Sequence, residues 1–158
     1  MARKSIKDLL KENKVTVVSH AQCIQASPNL SIGQTIELMR NNKSGYVLLV
    51  EGGQVAGIFT EVDVVRKILC STVDWSKPVR TVMTQNLSVL TQDDSVGTAI
   101  DLMGKERFYH IPLVDEKKNL AGIISVRSVI KFLAEFYPTE VYNLPPDPHQ
   151  VMNTQEGG

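Results

Sequence analysis

Cysteine is nearly absent from this 158-residue chain: Cys23 and Cys70 stand alone, with no C-x-x-C pair and no histidine at metal-ligand spacing. That pattern excludes a disulfide scaffold and a thiolate metal site, and reads as two buried thiols in a reducing compartment. An excess of either charge is missing too. Seventeen basic residues balance seventeen acidic ones, so the composition offers no concentrated basic face to displace counterions from nucleic acid. No apolar run approaches the roughly 20 residues of a membrane span, and MARKSIKDLLKENK is too charged for a secretory leader. The expectation is a cytoplasmic protein with neither nucleic acid nor membrane as partner. Catalytic signatures are also lacking. His20, His110 and His149 have no nucleophile motif beside them, and neither H-E-x-x-H nor a P-loop occurs. Triads assemble in space, so this makes an enzyme the weakest reading without excluding one.

What is present is a soluble globular composition, 42% apolar and 22% charged, organised by an internal repeat. YVLLVEGGQVAGIFT (46–60) lies over IPLVDEKKNLAGIIS (111–125), and SIGQTIELM (31–39) lies over SVGTAIDLM (95–103). The two overlays differ by one residue, which is assigned to the loop after Met39 and Met103. Each copy reads β-α-β-β-α. An extended segment (24–27, 88–91) precedes Asn29 or Asp93–Asp94, which supply helix-start chemistry. The helix carries Ile32, Ile36 and Met39, or Val96, Ile100 and Met103, as one apolar stripe. A strand follows, then a hairpin turn at Gly52–Gly53 or Lys117–Lys118–Asn119, and a further strand. The second helix is expected to bury Val64, Val65 and Ile68, or Val129, Ile130 and Leu133. One unit of about 55 residues leaves a bare sheet face, so two must share a core. The expected fold is an α+β pseudo-dimer: an N-terminal helix (1–14), repeat 1 (15–70), a linker (71–81) anchored by a buried Trp75, repeat 2 (82–136), and a flexible tail (137–158).

The strings VMT (82–84), HIPLVD (110–115) and GIFTEVD (57–63), with the two repeated helices, together resemble the CBS domain, named after cystathionine β-synthase. The likeness runs from about residue 15 to 135 and is similar to a stand-alone tandem pair, a Bateman module. It implies two CBS repeats related by a pseudo-twofold axis, sheets packed together, two clefts between them, and a disc-like homodimer. It further implies an adenosine nucleotide (AMP, ADP or ATP) or S-adenosylmethionine as cleft ligand, no catalytic cofactor, and an unnamed regulated protein as partner.

The junction GIFTEVD supports two readings. As structure, Thr60 caps a helix and Asp63 complements its dipole. As a site, the free N–H groups of a helix start attract phosphate, a hydroxyl donates to a phosphate oxygen, and a carboxylate accepts both hydroxyls of a ribose. The resemblance implies the second reading for Thr60 and Asp63. In GIISVRS (122–128), Ser125 keeps the hydroxyl, but Ser128 stands where the carboxylate is expected. Losing a charge-assisted hydrogen bond costs about 1.5–3 kcal/mol, so the Asp63 cleft is expected to bind ribose more tightly.

Other walls follow from the resemblance. Tyr46, Val47 and Ile58 line the first cleft, and Ile111 and Pro112 take the matching places in the second. Val47 and Ile111 read equally well as core. His110 is placed near phosphate in the second cleft. Met83 and Thr84 approach the second cleft, with Ser19 and His20 as their counterparts in the first. Arg66 and Arg127 are either phosphate contacts or solvated helix residues. Three functions compete: a nucleotide-sensing regulatory module, a constitutive homodimeric scaffold with vestigial clefts, and, more remotely, a thiol redox sensor.

Overall fold

Helix α1 (Ile6–Glu12) opens the described part of the chain, capped by the Ser5 side chain, which accepts from the Asp8 N–H. In the computed structural model the described residues are 4–136. The tail expected to be flexible, 137–158, lies outside them. A 3₁₀ turn at Val15–Val17 leads into β1 (Ser19–His20). Repeat 1 continues through β2 (Gln25–Ala26), α2 (Ile32–Asn42), β3 (Tyr46–Glu51), β4 (Gln54–Thr60) and α3 (Glu61–Asp63), which widens into a π-type turn at Val64–Leu69. A 3₁₀ turn at Val79–Thr81 precedes β5 (Leu90–Thr91), α4 (Val96–Glu106), β6 (His110–Val114), β7 (Leu120–Ser125) and α5 (Val126–Phe136). The α+β architecture of two related units expected from the sequence is therefore present.

The caps differ from expectation. Ser31 and Ser95, rather than Asn29 and Asp93–Asp94, accept the third-residue N–H of α2 and α4. Both helices end in a left-handed residue, Lys43 and Arg107. These pairs also fix the repeat's register. Tyr46 pairs with Thr60 across one hairpin and His110 with Ser125 across the other. Tyr46 thus matches His110, Val47 matches Ile111, and Leu48 matches Pro112. The extra residue sits in the second hairpin turn, not in the loop after the helix. Gly52 and Gly53, at φ 59 and φ 80, close the short first turn. In the longer second turn the Asp115 carboxylate accepts from the Lys117 and Asn119 N–H groups.

The segment leading into each repeat crosses to the other. β1 pairs antiparallel with β7, so His20 lies opposite Ile123. The pseudo-symmetric contact joins Thr84 to Ile58 of β4, with hydrogen bonds of 3.0 and 2.8 Å. Val15 N donates to Asp94 O and Val79 N to Leu30 O, so the same exchange occurs one turn earlier. Glycine is required at the two crossings. A Cβ on Gly57 would lie 2.7 Å from Thr84 O, and one on Gly122 would lie 2.8 Å from His20 O.

Burial follows this exchange. Leu9, Val15 and Val18 from the N-terminal side complete the core of repeat 2 with Val96, Ile111 and Val129. Val79 and Met83 complete the core of repeat 1 with Ile32, Val47 and Phe59. A third cluster, Leu48, Ile58 and Ile123, joins the two sheets. Several expected burials fail. Cys70 is exposed and Cys23 only half-buried, since Cys70 follows the last inward residue of its turn, Ile68. Trp75 is 48% exposed and holds the linker through its backbone, its carbonyl accepting from Gly33 N. Val65 and Ile130 are 55% and 50% exposed, because each helix turns only one stripe inward and these matching positions face away.

Candidate functional site

Begin with Asp63, 6% exposed. Its Oδ2 accepts from Thr60 N at 2.9 Å and from the Thr60 hydroxyl at 3.2 Å, while Asp63 N donates back to Thr60 Oγ1. Its Oδ1 accepts from the Thr84 hydroxyl at 3.1 Å and meets Lys67 Nζ at 2.8 Å. Lys67 also donates to Val82 O at 2.8 Å. A carboxylate offers about four lone-pair directions, and all four are engaged within the chain. The capping reading of Thr60 and Asp63 is thus realised in the geometry, and a ribose reaches this carboxylate only by displacing one of its partners.

The crossing redistributes the expected site residues. Thr84, assigned by sequence to the second cleft, bonds to Asp63 in the first, and Met83 packs beside it against Gly57. His20, assigned to the first cleft, lies in the second beside Ser125. The physical reason is that each lead-in segment adds to the last strand of the opposite repeat. Tyr46 also lines the second cleft. Val47 and Ile111 are fully buried core, and Pro112 and Ile58 are buried as well. Arg66 is exposed on the turn after α3.

Ser128, 6% exposed, spends its hydroxyl hydrogen within the chain: Oγ donates to Ser125 O at 2.8 Å and accepts from Ser125 N at 3.1 Å. Ser125 Oγ in turn accepts from Ser128 N. In front of this pair opens a cavity of about 810 Å³ between the repeats. Repeat 1 supplies Lys43 to Tyr46, and repeat 2 supplies Tyr109, His110, Ser125 and one side of α5 with Arg127 and Lys131. Tyr46 and His110, matching positions, pack against each other with ring centroids 4.7 Å apart and planes tilted by 38°. Burial holds the His110 imidazole below its ordinary pKa of 6.5 and raises that of the Tyr46 phenol, so both present uncharged rings. Burial likewise raises the Cys23 thiol, which disfavours the thiolate needed for redox sensing.

Sequence reasoning missed Lys67, Lys43, Lys131 and Tyr109. Lys67 was legible: it stands four residues after Asp63, where repeat 2 has Phe132 four residues after Ser128. The two repeats therefore differ at both members of an i,i+4 pair, a partly buried ion pair in one copy and a hydroxyl with an aromatic ring in the other.

Two pseudo-symmetric units that exchange lead-in segments and enclose a cleft between them define a tandem-repeat α+β module. Residues 6–70 and 79–135 match the CBS domain family, and the chain belongs to it. It is 28% identical over 125 residues to the "Uncharacterized 17.7 kDa protein in bps2 3'region" of Acidianus ambivalens, covering 78% of this chain and 75% of that one. It is 29% identical over 149 residues to "Uncharacterized protein MJ1404" of Methanocaldococcus jannaschii, spanning 85% of this chain but 35% of that longer protein. Among solved structures, the CBS domain pair of protein MJ0100, in complex with 5'-methylthioadenosine and S-adenosyl-L-methionine, superposes with a TM-score of 0.69 at 20% identity, over 77% of this chain and 99% of that one. That similarity is one of fold. No described helix is long and apolar enough to cross a membrane.

Proposed function

We propose that this protein is a non-catalytic, cytoplasmic regulatory module that binds an adenosine-containing nucleotide between its repeats and transmits occupancy to a partner protein. The observation that carries this reading is the cavity of about 810 Å³ lined from both repeats, a size within the range of small-molecule sites. The Tyr46–His110 pair offers aromatic rings to a base, and the Ser125 hydroxyl offers a donor to phosphate. The adenosine ligands of the MJ0100 domain pair support the same class. Tyr46, His20, His110 and Ser125 are the contacts proposed for this cleft, with Ile111, Pro112 and Ser128 supporting it from behind. Thr60, Asp63, Val47, Ile58, Arg66, Met83 and Thr84 surround the first cleft, in which the Asp63 carboxylate is already paired. A ligand touching Gly45–Tyr46 on one side and α5 on the other shifts the angle between repeats by as much as its affinities for the two shapes differ.

The exposed matching residues Val65 and Ile130 support a homodimer in which a second copy covers these helices. The fully paired Asp63 carboxylate favours the alternative of a constitutive scaffold. Thermal unfolding with AMP, ADP, ATP and S-adenosylmethionine separates the two. A ligand at 100 times its dissociation constant adds about 2.7 kcal/mol, a clear rise in melting temperature that His110→Ala diminishes. If none of the four moves the wild type, the sensing reading is lost and the scaffold remains.

A further inference from the structure

The two clefts differ in charge, and the open one is cationic. Arg127 and Lys131 lie four residues apart on the cavity side of α5, and Lys43 faces them from the end of α2. Their pseudo-symmetric counterparts are Val62, Arg66 and Arg107, and there the Asp63 carboxylate is paired with Lys67. Among the described residues, no carboxylate lines the open cavity. Glu61 comes near its rim: a Cβ on Gly45 would lie 3.2 Å from Glu61 Oε2. Three positive charges therefore face the cavity against one peripheral negative charge. The acceptor that would hold a ribose is absent as well, because Ser128 replaces it and its hydroxyl is tied to Ser125.

Resting on the reading of this cavity as a nucleotide cleft, we propose that it selects its ligand by phosphate charge: the occupant carries two or more phosphates, held by Arg127, Lys131 and Lys43, and a sulfonium adenosine ligand is rejected. Ribose recognition contributes little, and affinity is set at the anionic end. Each added phosphate brings charge-assisted hydrogen bonds to guanidinium and ammonium groups. The rejected ligand is S-adenosylmethionine, whose positive sulfonium would be desolvated among like charges.

The test is calorimetric titration of the full chain, in magnesium-free low-salt buffer, with ATP, ADP, AMP, S-adenosylmethionine and inorganic tripolyphosphate. The same series is repeated on Arg127→Ala/Lys131→Ala, with circular dichroism to check folding. Both residues are exposed, so the double variant keeps its core. The expected order is ATP, then ADP, then AMP, with ATP at least about tenfold tighter than AMP and S-adenosylmethionine silent. The ratio of ATP to AMP affinity should collapse toward one in the double variant. AMP binding as tightly as ATP, S-adenosylmethionine binding, or a ratio unmoved by the double substitution overturns the charge selection and leaves the nucleotide reading standing. Tripolyphosphate binding without any adenosine ligand binding does the reverse. A wild type that binds none of the five defeats both.

Discussion

Replacing Lys67 with methionine isolates the interaction that most clearly separates the two repeats. The substitution keeps the aliphatic stem and removes the ammonium that sits 2.8 Å from Asp63 Oδ1 and also donates to Val82 O. Breaking a fully buried ion pair costs about 3–5 kcal/mol, whereas an exposed one is worth about 0–1 kcal/mol. The Asp63 side chain is 9% exposed and that of Lys67 39%, so the pair lies between these limits. Asp63 also keeps three other donors, two from Thr60 and one from Thr84, which limits the damage. A cost of about 2 kcal/mol follows, read as a lower urea midpoint at unchanged m-value. The informative partner is Asp63→Ser combined with Lys67→Phe, which installs the residues that repeat 2 carries at Ser128 and Phe132. If Asp63 and Lys67 act as a unit, each single substitution is costly and the double one recovers part of the loss, with a coupling of about 1 kcal/mol or more. Additivity of the two changes to within about 0.5 kcal/mol would refute the claim that they form one clamp on residues 82–84.

Gly57→Ala drives a Cβ to 2.7 Å from Thr84 O and 2.8 Å from Met83 Sδ, and should cost about 1–3 kcal/mol in urea unfolding. Gly104→Ala, within α4 and with nothing inside 4 Å, should instead stabilise by about 0.5–1 kcal/mol. Because burial lowers the His110 pKa from 6.5, this group leaves stability unchanged above about pH 6.5. As pH falls below that value the unfolded chain takes up the proton first, so stability declines until folded His110 also protonates. Unfolding at a series of pH values should show this decline in the wild type and its loss in His110→Phe. The carboxylates of Asp74, Asp93 and Asp115, all held low by hydrogen bonds, act only below about pH 4 and do not confuse the window. Sedimentation should find the wild type dimeric and Val65→Asp/Ile130→Asp monomeric. A wild type that stays monomeric at high concentration removes the homodimer.

How much of this was legible in the sequence depended on whether a pattern had a phase. Helices α2 and α4 did: their stripes Ile32–Met39 and Val96–Met103 repeat at helical spacing, and their overlay is in correct register. The middle strands did not. Val47, Leu48 and Leu49 are all fully buried, as are Ile111 and its neighbours through Val114, so both strand faces are apolar and a shift of one residue still sets apolar over apolar. Matching apolar to apolar therefore sets Tyr46 over Ile111, whereas the hairpin pairing sets it over His110. A better ruler lay further on, where Gly57 and Gly122 are fixed by close backbone approach and turn length must absorb any difference upstream. The strand exchange left no local signature, since β1 is two residues long and its partner lies in the other repeat.

That exchange changes what a cleft can do. Had each repeat kept its own lead-in segment, the two units would meet through Leu48, Ile58 and Ile123, the Tyr46–His110 rings and the contact between the two hairpin turns, and a ligand between them could move one without disturbing the other's core. As built, Val15 and Val18 are core residues of repeat 2, and Val79 and Met83 of repeat 1. A change in the angle between repeats therefore pulls on both cores through His20–Ile123 and Thr84–Ile58 at once. The two junctions resist unequally. At Thr84, the Asp63–Lys67 pair pins the crossing with side-chain bonds. His20 is an exposed side chain at the mouth of the open cavity, and among the described residues its ring makes no hydrogen bond to β7 such as Thr84 makes to Asp63. Motion on ligand binding should thus concentrate at His20–Ile123, so hydrogen exchange at β1 and β7 should respond to the ligand while Ile58 and Thr84 stay protected. Equal responses at the two crossings would show that the Asp63 clamp does not divide the molecule into a fixed side and a moving one.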